Sequence, residues 1–181
     1  PYKDKPGFGR IGNAYGGISF LSGDPDRPPA TPGSATLADY MSGMYGVVGV
    51  LMALRSADAT GVGQVIDIGL YEPIFRILDE LAPAYDKSGF IRQRMGAPTV
   101  NVCPHSHYPT KDNRWVAIAC TNDKIFGRLA GLMEQGDVAG DGKYGTIQQR
   151  DADRSGVDSM VTDWTMARTQ REVVAQCEIA E

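Results

Sequence analysis

The sequence predicts an α/β protein in two successive parts, residues 1–90 and 91–181. Three observations predict it. Residues 38–56 place Met41, Met44, Tyr45, Val48, Leu51 and Met52 at the i, i+3, i+4 spacing of a helix with a buried stripe. "VIDIGLYE", residues 65–72, is rich in β-branched side chains and reads as a strand. "HYPTKDNRWVAIACT" reads as a β-hairpin in which Lys111-Asp112-Asn113 turns between Tyr108–Thr110 and Trp115–Ala119. The change between the parts falls in residues 86–102, a linker where Lys87, Arg92 and Arg94 break the apolar pattern.

The remaining elements follow in order. Residues 1–35 are rich in Pro and Gly turn signals, with one short helix expected over 10–16 and a connector from Pro25 to Pro32. Within the helix at 38–56, Gly43, Gly46 and Gly49 form a second stripe without side chains. Each glycine costs up to about 1 kcal/mol of helix propensity against alanine, so three together imply that backbone or ligand approaches closely there. "ADATGVGQ" is a turn, and residues 72–85 form a helix with Pro73 in its first turn. After the hairpin, Ile125, Phe126, Leu129 and Leu132 mark an amphipathic helix. A turn-rich stretch leads to a helix over 153–166 with Val157, Met160, Val161 and Trp164 on one face. Thr169-x-x-Glu172 is a capping box that opens the last helix. The chain starts at Pro1 and stops inside a helical pattern, which reads as an internal segment of a longer protein.

Charge narrows the function classes. The net charge is −4 and the pI about 5.2, with Lys and Arg scattered, which argues against nucleic acid or an anionic membrane as partner. An anionic small molecule needs only one local basic cluster. Cys103, Cys120 and Cys177 are odd in number and far apart, the usage of reduced thiols in a cytoplasmic protein. No run of about 18 apolar residues free of charge and glycine is present, so no membrane span or signal peptide is expected.

Four constellations could carry chemistry. Asp39 is the single charge near the mouth of an otherwise apolar helix. It could be an N-cap, or a carboxylate nucleophile or base set where a helix start favours anions. Cys103, His105 and His107 fall on one face of a strand, with Cys120 across the hairpin. A zinc site would want more ligands and a second shell, so no metal is expected there. "GFGRIG" at residues 7–12 lacks the strand-to-helix context of a dinucleotide site. Lys3, Lys5 and Arg10 lie beside Tyr2 and Phe8, either as a solvated loop or as phosphate and adenine contacts in a ligand cleft.

At these residues the sequence resembles the class III CoA-transferases, the CaiB/BaiF family. "LADYMSGMYGVVGVLMALRSADATGVGQVIDIGLYE", with its Ala-Thr-Gly-x-Gly-Gln turn, carries the resemblance most specifically. "PYKDKPGFGRIGNAYGG", "PHSHYPTKDNRWVAIAC" and "NDKIFGRLAGLM" support it. The resemblance implies a fragment of a two-domain α/β fold: a Rossmann-like large domain holding residues 1 to about 90, and a smaller α/β domain from about 97 onward. It implies an interlocked homodimer, with coenzyme A or acyl-CoA and a carboxylic acid acceptor as substrates. It places the family's nucleophilic aspartate on Asp39, and the basic and aromatic set noted above offers Lys5, Phe8 and Arg10 as CoA contacts.

The departures bear on the reaction. The racemase branch of the family carries Gly-His-Asp where this chain has Gly7-Phe8-Gly9-Arg10, so CoA transfer is favoured over racemisation. Phe8 stands where transferases of this kind often have Tyr. The family's Pro-x-Asn-x-Tyr run is Pro104-His105-Ser106-His107-Tyr108 here. The expected activity is transfer of CoA between carboxylic acids through an aspartyl-CoA thioester. A CoA-ester racemase or epimerase, or a non-catalytic CoA-binding or interaction module, are the alternatives.

Overall fold

A computed structural model describes residues 4–31, 33 and 35–180. The chain divides into two units, Pro1–Gly96 and Ala97–Glu181.

In the first unit, helix α1 (Gly9–Tyr15) and the one-turn α2 (Ile18–Leu21) lead through turns to the long helix α3 (Leu37–Thr60). Helix α1 is seated by glycines. A Cβ on Gly12 would stand 3.1 Å from Leu70 Cβ and 3.3 Å from Ala38 Cβ, and one on Gly16 would meet Ile74 Cγ2 at 2.6 Å. Tyr15 and Tyr71 pack edge to face with centroids 4.8 Å apart. Helix α3 ends at Gly61, whose φ of 71° is the left-handed conformation that lets its N–H reach Ala57 O.

Three expectations fail in this unit. Residues 65–72 form no strand: 65–69 have no regular structure, 70–71 turn, and Glu72 already opens the next helix, while Val65 is 97% exposed. Its β-branched residues instead lean on α3, where Ile66 fills the space over Gly49 and Ile68 that over Gly46. The helix expected over 72–85 is two helices, α4 (Glu72–Arg76) and α5 (Leu81–Ser88). Pro83 explains the break. It has no N–H to give Asp79 O in a continuous helix, and its ring would clash there. Asp79 takes a φ of 53°, and α5 restarts with Pro83 in its first turn.

The buried stripe expected on α3 is also not buried. Among its described residues only Ala38 is buried, while Met44, Val48, Leu51 and Met52 are exposed. Within this unit, α1, α4 and the side chains of Ile66 and Ile68 pack against it. By length and composition α3 could cross a membrane: an 18-residue stretch has a mean hydropathy of 1.4 and is 6% buried. Gly43, Gly46 and Gly49 interrupt it, so it is not an unbroken apolar run free of charge and glycine. The core helix of a larger protein has the same composition.

The second unit begins with the hairpin. Strands β1 (His105–Pro109) and β2 (Trp115–Ala119) pair antiparallel, His105 opposite Ala119 and Pro109 opposite Trp115. The turn sits where Lys111-Asp112-Asn113 predicts it, with Asn113 at φ 56° and Thr110 N–H bonded to Arg114 O at 2.9 Å. A lone hairpin is not stable in water. Here it is covered by α6 (Asp123–Leu132), capped by Asn122, and by α8 (Arg154–Met166) and α9 (Gln170–Ile179), with α7 (Ile147–Ala152) packed on α8. Tyr108, Phe126, Leu129, Val157, Val161 and Val173 form the core. The capping box at Thr169 is complete, with Thr169 accepting from Glu172 N–H and the Glu172 carboxylate accepting from Thr169 N–H.

Candidate active site

The site is built at the start of α3. Asp39 is the third residue of the helix, not its cap. Thr36 holds the cap position and makes no side-chain cap bond. That settles the geometry of the capping alternative: the carboxylate is exposed in the first turn, where the helix dipole favours a negative charge, and it is not spent on a cap. Among the described residues no ion pair reaches it.

Asp39 opens onto a groove of about 480 Å³ running along α3, lined by Thr36, Tyr40, Gly43, Met44 and Val47. Gly43 has no atom within 4 Å of where a Cβ would be, so the space one turn beyond the carboxylate is clear. Of the three glycines singled out in the sequence, then, Gly43 leaves an opening, and Gly46 and Gly49 receive the side chains of Ile68 and Ile66.

Asp39 lies directly against Gly9. A Cβ on Gly9 would overlap Asp39 Oδ2 and stand 3.2 Å from its Cγ. Phe8 and Arg10 flank that glycine. Phe8 caps α1 with extended backbone, is 67% exposed, and its carbonyl accepts from Gly12 N–H. Arg10 is exposed in the first turn of α1, and Lys5 is exposed in the preceding bend. Lys3 and Tyr2 lie outside the described residues. Sequence reasoning missed Gly9. Its signal was the second glycine of Gly7-Phe8-Gly9, which pattern alone tied only to nucleotide loops.

The cysteine and histidine set is different in character. Cys103 is buried ahead of β1, His105 Nδ1 lies 3.1 Å from Thr99 Oγ1, and His107 is exposed. Burial pushes the Cys103 thiol up to about 11 and the Cys120 thiol up to about 12. Both stay protonated near neutral pH, which disfavours thiolate chemistry. Tyr108 is likewise pushed up, by burial first and then by its 2.5 Å hydrogen bond to Asp158.

A sequence model of CoA-transferase family III matches residues 1–181. The chain belongs to that family. It is 49% identical over 178 residues to the succinyl-CoA–L-malate CoA-transferase beta subunit of Chloroflexus aurantiacus, covering 98% of this chain and 44% of that protein. It is 31% identical to the succinate–glutarate CoA-transferase of Agrobacterium fabrum, covering 98% of this chain and 44% of that one. Among solved structures it resembles a CaiB/BaiF family protein from Brucella suis, with a TM-score of 0.77, 31% identity, and coverage of 98% of this chain and 47% of that one. A hypothetical protein from Mycobacterium tuberculosis shares the fold at a TM-score of 0.78 and 18% identity, covering 99% and 47%. The chain thus spans less than half the length of the relatives it matches.

Proposed function

We propose that the protein transfers coenzyme A between carboxylic acids, with Asp39 as nucleophile. One observation carries the reading: an exposed carboxylate in the first turn of α3, with no ion-pair partner among the described residues, facing an open groove that Gly43 keeps clear. The relatives' names support CoA transfer and point to dicarboxylic acids of the succinate type as donor or acceptor.

The chemistry suits one carboxylate. An Asp39 Oδ attacks the acyl-CoA carbonyl, and the CoA thiolate leaves, giving a mixed acyl-aspartyl anhydride. The thiolate returns to the aspartyl carbonyl and expels the donor carboxylate, leaving an aspartyl-CoA thioester. The acceptor carboxylate displaces CoA from that carbonyl, and CoA then attacks the acceptor's acyl carbon and frees Asp39. The carbonyl oxygens that become anionic need N–H donors close by. Gly43 leaves room for such donors. Phe8, Arg10 and Lys5 are proposed as CoA contacts, aromatic for the adenine and cationic for the phosphates.

Residues 1–90 are assigned to the large domain and 91–181 to the linker and the small domain. The apolar face of α3 fits the interior of an interlocked homodimer better than a bilayer, and a soluble cytoplasmic enzyme is the reading that the relatives' metabolic reactions support.

Asp39→Asn in the whole protein keeps the shape and removes the nucleophile. Transfer should fall on the order of 10³-fold or more while the fold is kept. Near-normal transfer by this variant would overturn the assignment.

A further inference from the structure

We propose that Gly9 is a positioning residue for the reaction: its missing side chain is the space in which the Asp39 carboxylate stands. The inference rests on the reading of Asp39 as nucleophile. A Cβ at position 9 would occupy the place of Asp39 Oδ2. Helix α1 cannot withdraw without loss, because Gly12 packs it against Ala38 and Leu70, and Ala38 is fully buried beside Asp39. The cheaper relief is for the short, exposed Asp39 side chain to swing away. A displacement of about 1 Å at a reacting atom can cost on the order of 10²-fold in rate.

The energetics separate this role from a packing role. Glycine is a poor helix former, so alanine at position 9 favours α1 while it displaces the nucleophile. Stability should hold or rise as the chemistry slows. Gly16 is the contrast, because a Cβ there would meet Ile74 Cγ2 at 2.6 Å, Ile74 Cβ at 2.8 Å and Tyr71 O at 3.0 Å, none of them an atom of Asp39. Alanine at position 16 should lower stability without a specific effect on the reaction.

The test measures kcat, KM for acyl-CoA and Tm in the full-length protein for Gly9→Ala, Gly9→Val, Gly16→Ala and Asp39→Asn. Gly9→Ala should lower kcat at least about tenfold, with KM within about threefold and Tm unchanged or higher, and Gly9→Val should lower kcat further. Gly16→Ala should lower Tm and keep the kcat of the folded fraction. If Gly9→Ala keeps kcat within about twofold while Asp39→Asn is inactive, the nucleophile stands and Gly9 has no positioning role. If Gly9→Ala loses Tm as Gly16→Ala does, Gly9 is a packing residue and the proposal fails. If Asp39→Asn retains transfer, the nucleophile assignment falls and this inference falls with it.

Discussion

Arg150 is fully buried in the second unit, and every arm of its guanidinium is used. Nε donates to Cys103 O at 2.7 Å, Nη1 to Tyr144 O at 2.9 Å and Nη2 to Asp123 Oδ1 at 2.8 Å, while the plane lies over the Phe126 ring at 4.5 Å. It therefore ties the start of β1, the turn before α7 and the start of α6 together. Arg150→Met removes the donors and leaves two carbonyls and a carboxylate unpaired. We expect a loss of about 3–5 kcal/mol, read from the urea midpoint at constant m-value. Asp123→Asn should cost less, because the Asp123 side chain is 53% exposed and asparagine still accepts. A loss below about 1 kcal/mol for Arg150→Met would show that water replaces these bonds. No periodicity marks this arginine, which in "QQRDADR" reads as one more solvated charge. Asp39 stands out in the sequence for the opposite reason, as a lone carboxylate in an apolar run.

At the scale of elements, the patterns that speak through local chemistry were legible. The hairpin turn, the helix over 154–166 and the capping box at Thr169 all depend on residues within a few positions of one another. The elements that failed depend on distant partners. Residues 65–72 have the composition of a strand, but a strand needs a neighbour to pair with, and composition cannot supply one. The box also predicts a pH dependence. Hydrogen bonds from Thr169 N–H at 2.7 Å and Thr169 Oγ1 at 2.8 Å hold the Glu172 carboxyl below its usual range of 4.5. Because the folded value is the lower one, this stabilisation is present above the unfolded value and is lost as pH falls through the folded value. Glu172→Gln should therefore destabilise the protein more at about pH 7 than at about pH 3, measured by urea melts at both. An equal difference at the two pH values would show that the carboxylate's charge contributes nothing to the cap.

For the whole molecule, the long apolar helix and the family's reaction belong to one account. Helix α3 brings Asp39 to an open groove at its start and leaves Met44, Val48, Leu51 and Met52 exposed along its length. A helix apolar on all sides belongs in the interior of something larger, and this chain spans 44% of its Chloroflexus relative. The apolar composition of α3 was plain from the sequence, but which of its faces is covered was not, since that depends on chain packed from elsewhere. The central claim is that CoA passes through a covalent bond to Asp39, and it is tested most directly in the full-length protein given acyl-CoA without an acceptor acid. Hydroxylamine attacks an aspartyl thioester and releases CoA thiol, leaving a hydroxamate on the side chain. Peptide mass spectrometry should find that hydroxamate at Asp39, and it should be absent from Asp39→Asn. A hydroxamate mapped to another residue, or none at all while transfer proceeds, would contradict the account.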